Sequence, residues 1–178
     1  FINGYFMRIL LTADLHLNVP IRSRPAGKRT VDELAKVVEE IEPDAVVVAG
    51  DIGTVDSAHD SMLQLRKAVG DRRLAVCLGN HDFWVKQEYH HRYMRLTSIV
   101  QSVWKPACAD ADAVLLDETN AAWDEVTVVG GYGHYDLGFA IPGLRVGGTS
   151  ITREDYLEGG FGRVLWNDFR AIPYCAQH

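Results

Sequence analysis

The sequence predicts an α/β fold whose central sheet is mainly parallel. Apolar segments of strand length alternate along the chain with segments that carry apolar residues at helical spacing. The strand-like segments are continuously apolar, which is typical of strands covered on both faces. Such alternation favours parallel strands joined by helices, and 178 residues fit one domain of ordinary size.

The predicted strands and helices follow one another in a regular order. Thr30 followed by Glu33 has the form of a capping box at the start of the first helix, and Gly70 is placed to end the second. From residue 130 to 148 the periodicity fades, and glycine and aromatic residues predict a long loop. Strands are predicted at 7–12, 44–49, 74–78, 113–116 and 126–129, and helices at 30–41, 57–69, 88–104 and 152–157.

Each of the first three predicted helices carries an apolar stripe that we expect to face the core. The stripes are Leu34, Val38 and Ile41, then Met62, Leu65 and Val69, then Tyr93, Leu96, Ile99, Val100 and Val103.

Charge and cysteine content limit the function classes. The chain carries 18 Lys and Arg against 24 Asp and Glu, a formal net charge of −6. This balance argues against tight, charge-driven binding to nucleic acid, although a basic cluster at 22–29 leaves a local contact open. No apolar run approaches the ~20 residues that cross a bilayer, and the three cysteines form no CxxC pair. We therefore expect a cytoplasmic protein without membrane segments, and nucleic acid is not the favoured partner.

Polar side chains follow each of the first three predicted strands. An Asp-x-His motif lies at 14–16, Gly-Asp at 50–51 and Gly-Asn-His-Asp at 79–82. Each motif alone is an ordinary turn pattern, because Gly, Asn and Asp favour turns. The carboxyl ends of parallel strands meet at one edge of a sheet, so the motifs together bring carboxylate oxygens and imidazole nitrogens to one place. That donor set suits Zn, Fe or Mn and predicts a metal site.

In these motifs and their order the sequence resembles the calcineurin-like metallophosphoesterases. The resemblance is strong over the first half of the chain, and residues 130–136 and 166–168 look like an aromatic-rich insert of one bacterial branch. It implies an αββα sandwich with a mainly parallel sheet, which we expect to be incomplete here. It also implies hydrolysis of a phosphomonoester or phosphodiester by water that two divalent metal ions activate.

The resemblance assigns metal ligands to the motifs. It implies that Asp14 and His16 hold the first ion, that Asp51 bridges both, and that Asn80 binds the second through its side-chain oxygen. The expected ions are Mn, Fe or Zn. A carboxylate that holds two cations ~3.5–4 Å apart is suited to in-line displacement at phosphorus.

Two catalytic residues are implied in the third motif. His81 would not be a ligand but would face the substrate phosphate, to stabilise the transition state or protonate the leaving oxygen. Asp82 would hydrogen-bond His81 and fix its tautomer, and a neighbouring carboxylate raises imidazole basicity.

The later part of the family pattern is not found. The family has a further His and a Gly-His-x-His motif, whereas the Gly-His at 133–134 lacks the second His. We interpret the chain as a domain at 7–178 without its C-terminal part, and 1–6 as a candidate non-native extension. The alternative hypothesis is a catalytically incomplete remnant of the same fold that acts as a binding module. A nuclease is a third hypothesis, which the acidic charge disfavours.

Overall fold

The computed structural model describes residues 6–18, 30–93, 95–133, 143–158, 160–161, 164–165 and 168–173. Its central sheet contains β1 (Ile9–Thr12), β2 (Ala45–Ala49), β3 (Arg73–Cys77) and β4 (Val114–Leu115). The helices on it are α1 (Thr30–Ile41), α2 (Ala58–Val69), α3 (Leu96–Ile99) and α4 (Lys105–Asp110).

The central sheet is parallel throughout. Its strand order is β1-β2-β3-β4, so each strand pairs with the next one in the chain. Right-handed crossovers that all step in one direction place their helices on the same face of the sheet. Accordingly, α1 packs against α2, and α2 packs against α4. The predicted α/β class and parallel sheet are confirmed, with these helices on one face only.

Alternate strand residues enter two separate hydrophobic clusters, because successive side chains point to opposite faces. On the helical face, Val46, Val48 and Val76 pack with the buried residues of the helices. On the other face, Val47 packs with Trp123 of an antiparallel hairpin. That hairpin is formed by β5 (Ala121–Trp123) and β6 (Val126–Val128). The layers therefore follow the order helices, central sheet, β-hairpin. These correspond to the first three layers of an αββα sandwich.

The first two helices lie close to their predicted positions. Met62, Leu65 and Val69 of α2 are fully buried as predicted. Gly70 ends that helix at a φ of 66°, in a region that favours glycine, and its N–H donates to the Arg66 carbonyl. Ile41 was predicted to face the core but is 43% exposed, because it is the last residue of α1.

The third helix was predicted too early. Residues 87–92 form 3₁₀ turns, and the helical stretch runs from α3 through a wider π-type turn at Val100–Trp104 into α4. Pro106 lies in the first turn of α4. Proline has no N–H for the preceding turn and clashes with the carbonyl four residues earlier, so the wider turn accommodates it.

The described part of the C-terminal region contains short elements. The predicted helix at 152–157 is found as α5 (Arg153–Glu158). Two described residues of the predicted loop, 145–146, pair with 149–150, which follow it. Among the described residues, no helix is both long and apolar enough to span a membrane. The other elements are β7 (Arg145–Val146), β8 (Thr149–Ser150), β9 (Gly160–Phe161), β10 (Val164–Leu165) and α6 (Asp168–Ala171).

Candidate metal centre and active site

The segments that follow β1 and β2 remain side by side beyond the sheet. The Asp14 N–H donates to the Gly50 carbonyl at 3.1 Å, and the His16 N–H donates to the Asp51 carbonyl at 2.9 Å. These two hydrogen bonds continue the parallel pairing of the strands past their ends. They place the first motif directly against the second, as the sequence predicted.

The backbone is strained where these motifs meet. Asp14, His16 and Asp51 have φ values of 55°, 43° and 56°, a left-handed region that costs a non-glycine residue about 1–2 kcal/mol. Among the described residues, six non-glycine residues have positive φ, and half of them are predicted metal ligands. Strain of this kind clusters at functional sites, where the surrounding structure holds it.

His16, Asp51 and His81 form a group that could hold a metal ion. One ligand atom from each lies within 4.8 Å of the others, and His16 Nε2 lies 3.7 Å from Asp51 Oδ2. The Asp51 side chain is largely buried, and its Oδ1 accepts a hydrogen bond from the His81 backbone N–H at 3.1 Å. The backbone therefore holds one carboxylate oxygen while the other faces an imidazole. Such nitrogen and oxygen donors fit Zn, Fe or Mn.

The His81 ring is held between two other rings. It stacks on Trp84 with 3.8 Å between ring centroids, and it meets His16 edge-on at 4.5 Å. Burial lowers the pKa of His81, and the Asp51 charge opposes this change. Neutral imidazole is the form that binds a metal. The His81 ring thus lies beside His16 and Asp51, a position that suits a metal ligand and also suits a residue that faces the substrate, as the resemblance implied.

Comparison with protein families decides the identity of the fold. The calcineurin-like phosphoesterase family matches residues 7–174 of the 178-residue chain. The chain belongs to this family. Comparison with curated proteins gives no match. The phosphoesterase resemblance drawn from the three motifs is therefore confirmed over nearly the whole chain.

Asp14 and Asn80 lie at this calcineurin-like site but outside the group of three. Asp14 is exposed, and its charge acts to raise the pKa of His81, against the larger effect of burial. Asn80 donates from its Nδ2 to the Asp168 carboxylate at 2.8 Å. Its amide oxygen is the atom that the resemblance assigned to a metal ion.

In this phosphoesterase the Asp82 side chain bonds backbone N–H groups. Its carboxylate is fully buried and accepts four backbone hydrogen bonds. The donors are Ile52 and Gly53 to Oδ1 and Asp51 and Gly79 to Oδ2, at 2.7–2.9 Å. Among the hydrogen bonds of the described residues there is none between Asp82 and His81, the pair that the resemblance expected. Burial raises the pKa of Asp82 to about 7, and the bonds from Gly53 and Gly79 oppose the rise. Asp82 therefore ties the second motif to the third.

Gly79 leaves the space that the Asp51 carboxylate occupies. A Cβ at this position would lie 2.2 Å from Asp51 Oδ1 and 2.6 Å from the Asp51 backbone nitrogen. We expect Gly79→Ala to displace the carboxylate from His16 and to weaken Mn²⁺ binding about tenfold or more, measured by calorimetric titration. The matched control is Gly131→Ala, where a Cβ meets nothing within 4 Å. Wild-type Mn²⁺ affinity in Gly79→Ala would contradict this geometry.

Two further acidic residues at the site were missed from the sequence. Asp117 accepts hydrogen bonds from the backbone N–H groups of Leu78 and Tyr132, and it ties residues 130–133 to the end of β3. Burial raises the pKa of Asp117, and those two bonds oppose the rise. Asp168 bonds Asn80 from a distant part of the chain, so no local pattern could reveal it. His134 and the basic cluster at 22–29 lie outside the described residues.

Proposed function

We propose that this chain hydrolyses phosphate esters, either phosphomonoesters or phosphodiesters, with water activated by two divalent metal ions. The observation that carries the proposal is the convergence of His16, Asp51 and His81 at the carboxyl edge of a parallel sheet. Membership of the calcineurin-like phosphoesterase family supports hydrolase activity with such ions. The Zn, Fe or Mn expected from the motifs fits the same donor set.

We assign the first ion to His16 and Asp14 and the second to Asn80, with Asp51 between them. Asp51 suits a bridging role because its Oδ1 and Oδ2 face different neighbours, the His81 backbone and the His16 ring. Asp14 follows β1 and Asn80 follows β3, and these strands lie on either side of β2, which Asp51 follows. When bound, the ions would supply positive charge at the phosphoryl group and a water of lowered pKa.

We assign to His81 the contact with the phosphate of the substrate. Stacking on Trp84 limits rotation of its ring. A ring nitrogen lies within 4.8 Å of the ligand atoms of His16 and Asp51, so it can reach an oxygen of a phosphate held beside them. A hydrogen bond from that nitrogen would stabilise developing negative charge on the phosphate or the leaving oxygen.

We also propose that the protein acts in a reducing compartment, namely the cytoplasm. Cys77 and Cys108 are free thiols. Burial raises the pKa of Cys108 to about 12, which keeps it protonated and unreactive. Free, unpaired cysteines are usual in the cytoplasm.

The test is hydrolysis of bis-(p-nitrophenyl) phosphate and p-nitrophenyl phosphate by the purified chain. The chain is first treated with EDTA and then supplied with Mn²⁺, Fe²⁺ or Zn²⁺. We expect hydrolysis that appears with at least one of these ions and disappears again on chelation, because the ions would supply the positive charge and the activated water. The preferred compound distinguishes a phosphodiester from a phosphomonoester substrate.

Metal content measured on the same samples separates the outcomes. Hydrolysis together with bound metal supports the proposal. Absence of metal-dependent hydrolysis, with less than one ion bound per chain, would overturn it and favour the catalytically incomplete binding module.

A further inference from the structure

We propose that Asp168 is a positioning residue that orients Asn80 and Trp84 at the candidate metal centre. The inference rests on the proposed function, since it concerns the same site. A single carboxylate oxygen, Asp168 Oδ1, accepts hydrogen bonds from Asn80 Nδ2 and from Trp84 Nε1, both at 2.8 Å. Asp168 is only 8% exposed, so these bonds are largely shielded from water.

Packing of α6 delivers the carboxylate to the site. Asp168 is the first residue of this short helix. Ile172, directly after the helix, is buried in the main hydrophobic cluster. The Val85 N–H donates to the Ala171 carbonyl at 2.8 Å, which fastens the other end of the helix beside Trp84. The position of Asp168 is therefore set by core packing and a backbone hydrogen bond, not by its own side chain.

The bond to Asn80 selects one of the two orientations of its amide group. An amide has a donor NH₂ on one side and an acceptor oxygen on the other. A buried carboxylate is a strong acceptor, so it holds the NH₂ group towards Asp168. The amide oxygen then lies on the other side, where it can serve as a metal ligand. The reversed amide would turn the Asn80 oxygen towards the Asp168 carboxylate oxygen, where the two would repel each other. Its NH₂ group would then face the cation.

The bond to Trp84 acts on a second part of the site. Trp84 is the ring on which His81 stacks, with 19° between the planes. The hydrogen bond to the indole N–H fixes the rotation of the Trp84 ring within its own plane. It therefore also fixes the surface on which the His81 ring stacks. One buried oxygen thus holds the predicted ligand of the second ion and the support of the residue that we assign to the phosphate.

A double-mutant cycle on Mn²⁺ affinity tests this role. We expect Asp168→Ala to weaken Mn²⁺ binding about tenfold in calorimetric titration, as for other residues that orient metal ligands. Asp168→Asn keeps an oxygen that can accept both bonds, so we expect it to restore affinity to within about threefold of wild type. In an Asn80→Ala background, Asp168→Ala should change Mn²⁺ affinity less than about twofold, because its main effect passes through Asn80.

The matched control is Ile172→Val, which loosens the packing of α6 and leaves the carboxylate in place. We expect Mn²⁺ affinity close to wild type in this variant. Equal weakening in Ile172→Val and Asp168→Ala would overturn the inference, because the effect would then come from the docking of the helix. Unchanged affinity in Asp168→Ala would overturn it as well.

A measurement without metal separates this inference from the proposed function. In ¹⁵N NMR spectra of the metal-free chain, the Trp84 indole N–H, identified by its loss in Trp84→Phe, should exchange slowly with solvent. The same signal should shift and exchange faster in Asp168→Ala. Rapid exchange in the wild-type chain would overturn the inference even if Asp168→Ala fails to fold. A wild-type chain that binds no Mn²⁺ but protects this N–H would contradict the proposed function and leave the positioning of Trp84 supported.

Discussion

Asp51→Asn is expected to lower metal-dependent phosphoester hydrolysis by about 10²–10³-fold, a loss of roughly 3–4 kcal/mol of transition-state stabilisation. Asparagine can keep the oxygen that accepts the His81 N–H, but it places a neutral NH₂ group where Oδ2 faces His16. A carboxylate between two cations would supply a negative charge that asparagine lacks. Asparagine tolerates the left-handed φ of 56° at this position, so the fold should persist. Initial rates with bis-(p-nitrophenyl) phosphate and Mn²⁺ measure the effect.

Asp112→Asn is the matched control for this substitution. Asp112 also has a left-handed φ, 47°, and its side chain is fully exposed. The same chemical change in the same backbone conformation should leave the rate unchanged. Hydrolysis by Asp51→Asn at more than half the wild-type rate would contradict the role of Asp51.

Asp82→Asn is expected to destabilise the folded chain by about 2–4 kcal/mol. Both oxygens of the buried carboxylate accept two backbone N–H groups each. An asparagine NH₂ group would face two of these donors and leave them without an acceptor in a buried environment. Urea unfolding monitored by circular dichroism measures the loss as a lower midpoint with an unchanged slope.

Asp60→Asn provides the reference for this measurement, because its side chain is 87% exposed. Its stability should remain within about 0.5 kcal/mol of wild type. If Asp82→Asn retained full stability and lost only activity, the catalytic role first expected for Asp82 would be correct, and the structural role described above would be wrong.

Local sequence patterns were sufficient for most of the sheet and the first two helices. Continuous apolar segments predicted β1, β2 and β3 to within one residue at either end, apart from the start of β1, which lies two residues later than predicted. The stripe of α2 was predicted in full because its three residues lie on one face of a regular helix. The later helix was misplaced because Pro106 acts across a turn. β5 was missed because two of its three residues are alanine, which is not enriched in strands, whereas the valines of β6 are.

At the site, too, some contacts could be predicted from the sequence and others could not. His16 and Asp51 could be predicted to meet because parallel strands bring their carboxyl ends together, whatever else the chain does. The partner of Asp82 could not be predicted, because an aspartate beside a histidine in sequence can turn towards the histidine or towards the core. Burial decided the orientation of Asp82, because the buried backbone N–H groups beside the second motif need hydrogen-bond acceptors and the Asp82 carboxylate provides them.

The sequence alone determined the alternation of strands and helices in the central sheet, the family, and the edge of the sheet at which polar residues gather. These properties depend on residue types and on spacing within short segments. Only the tertiary structure decided that the helices share one face, that Asp82 ties two turns together, and that Asp168 reaches Asn80 from 88 residues away. Contacts of this kind depend on how distant segments pack, and packing satisfies buried polar groups with whichever partner the fold brings close.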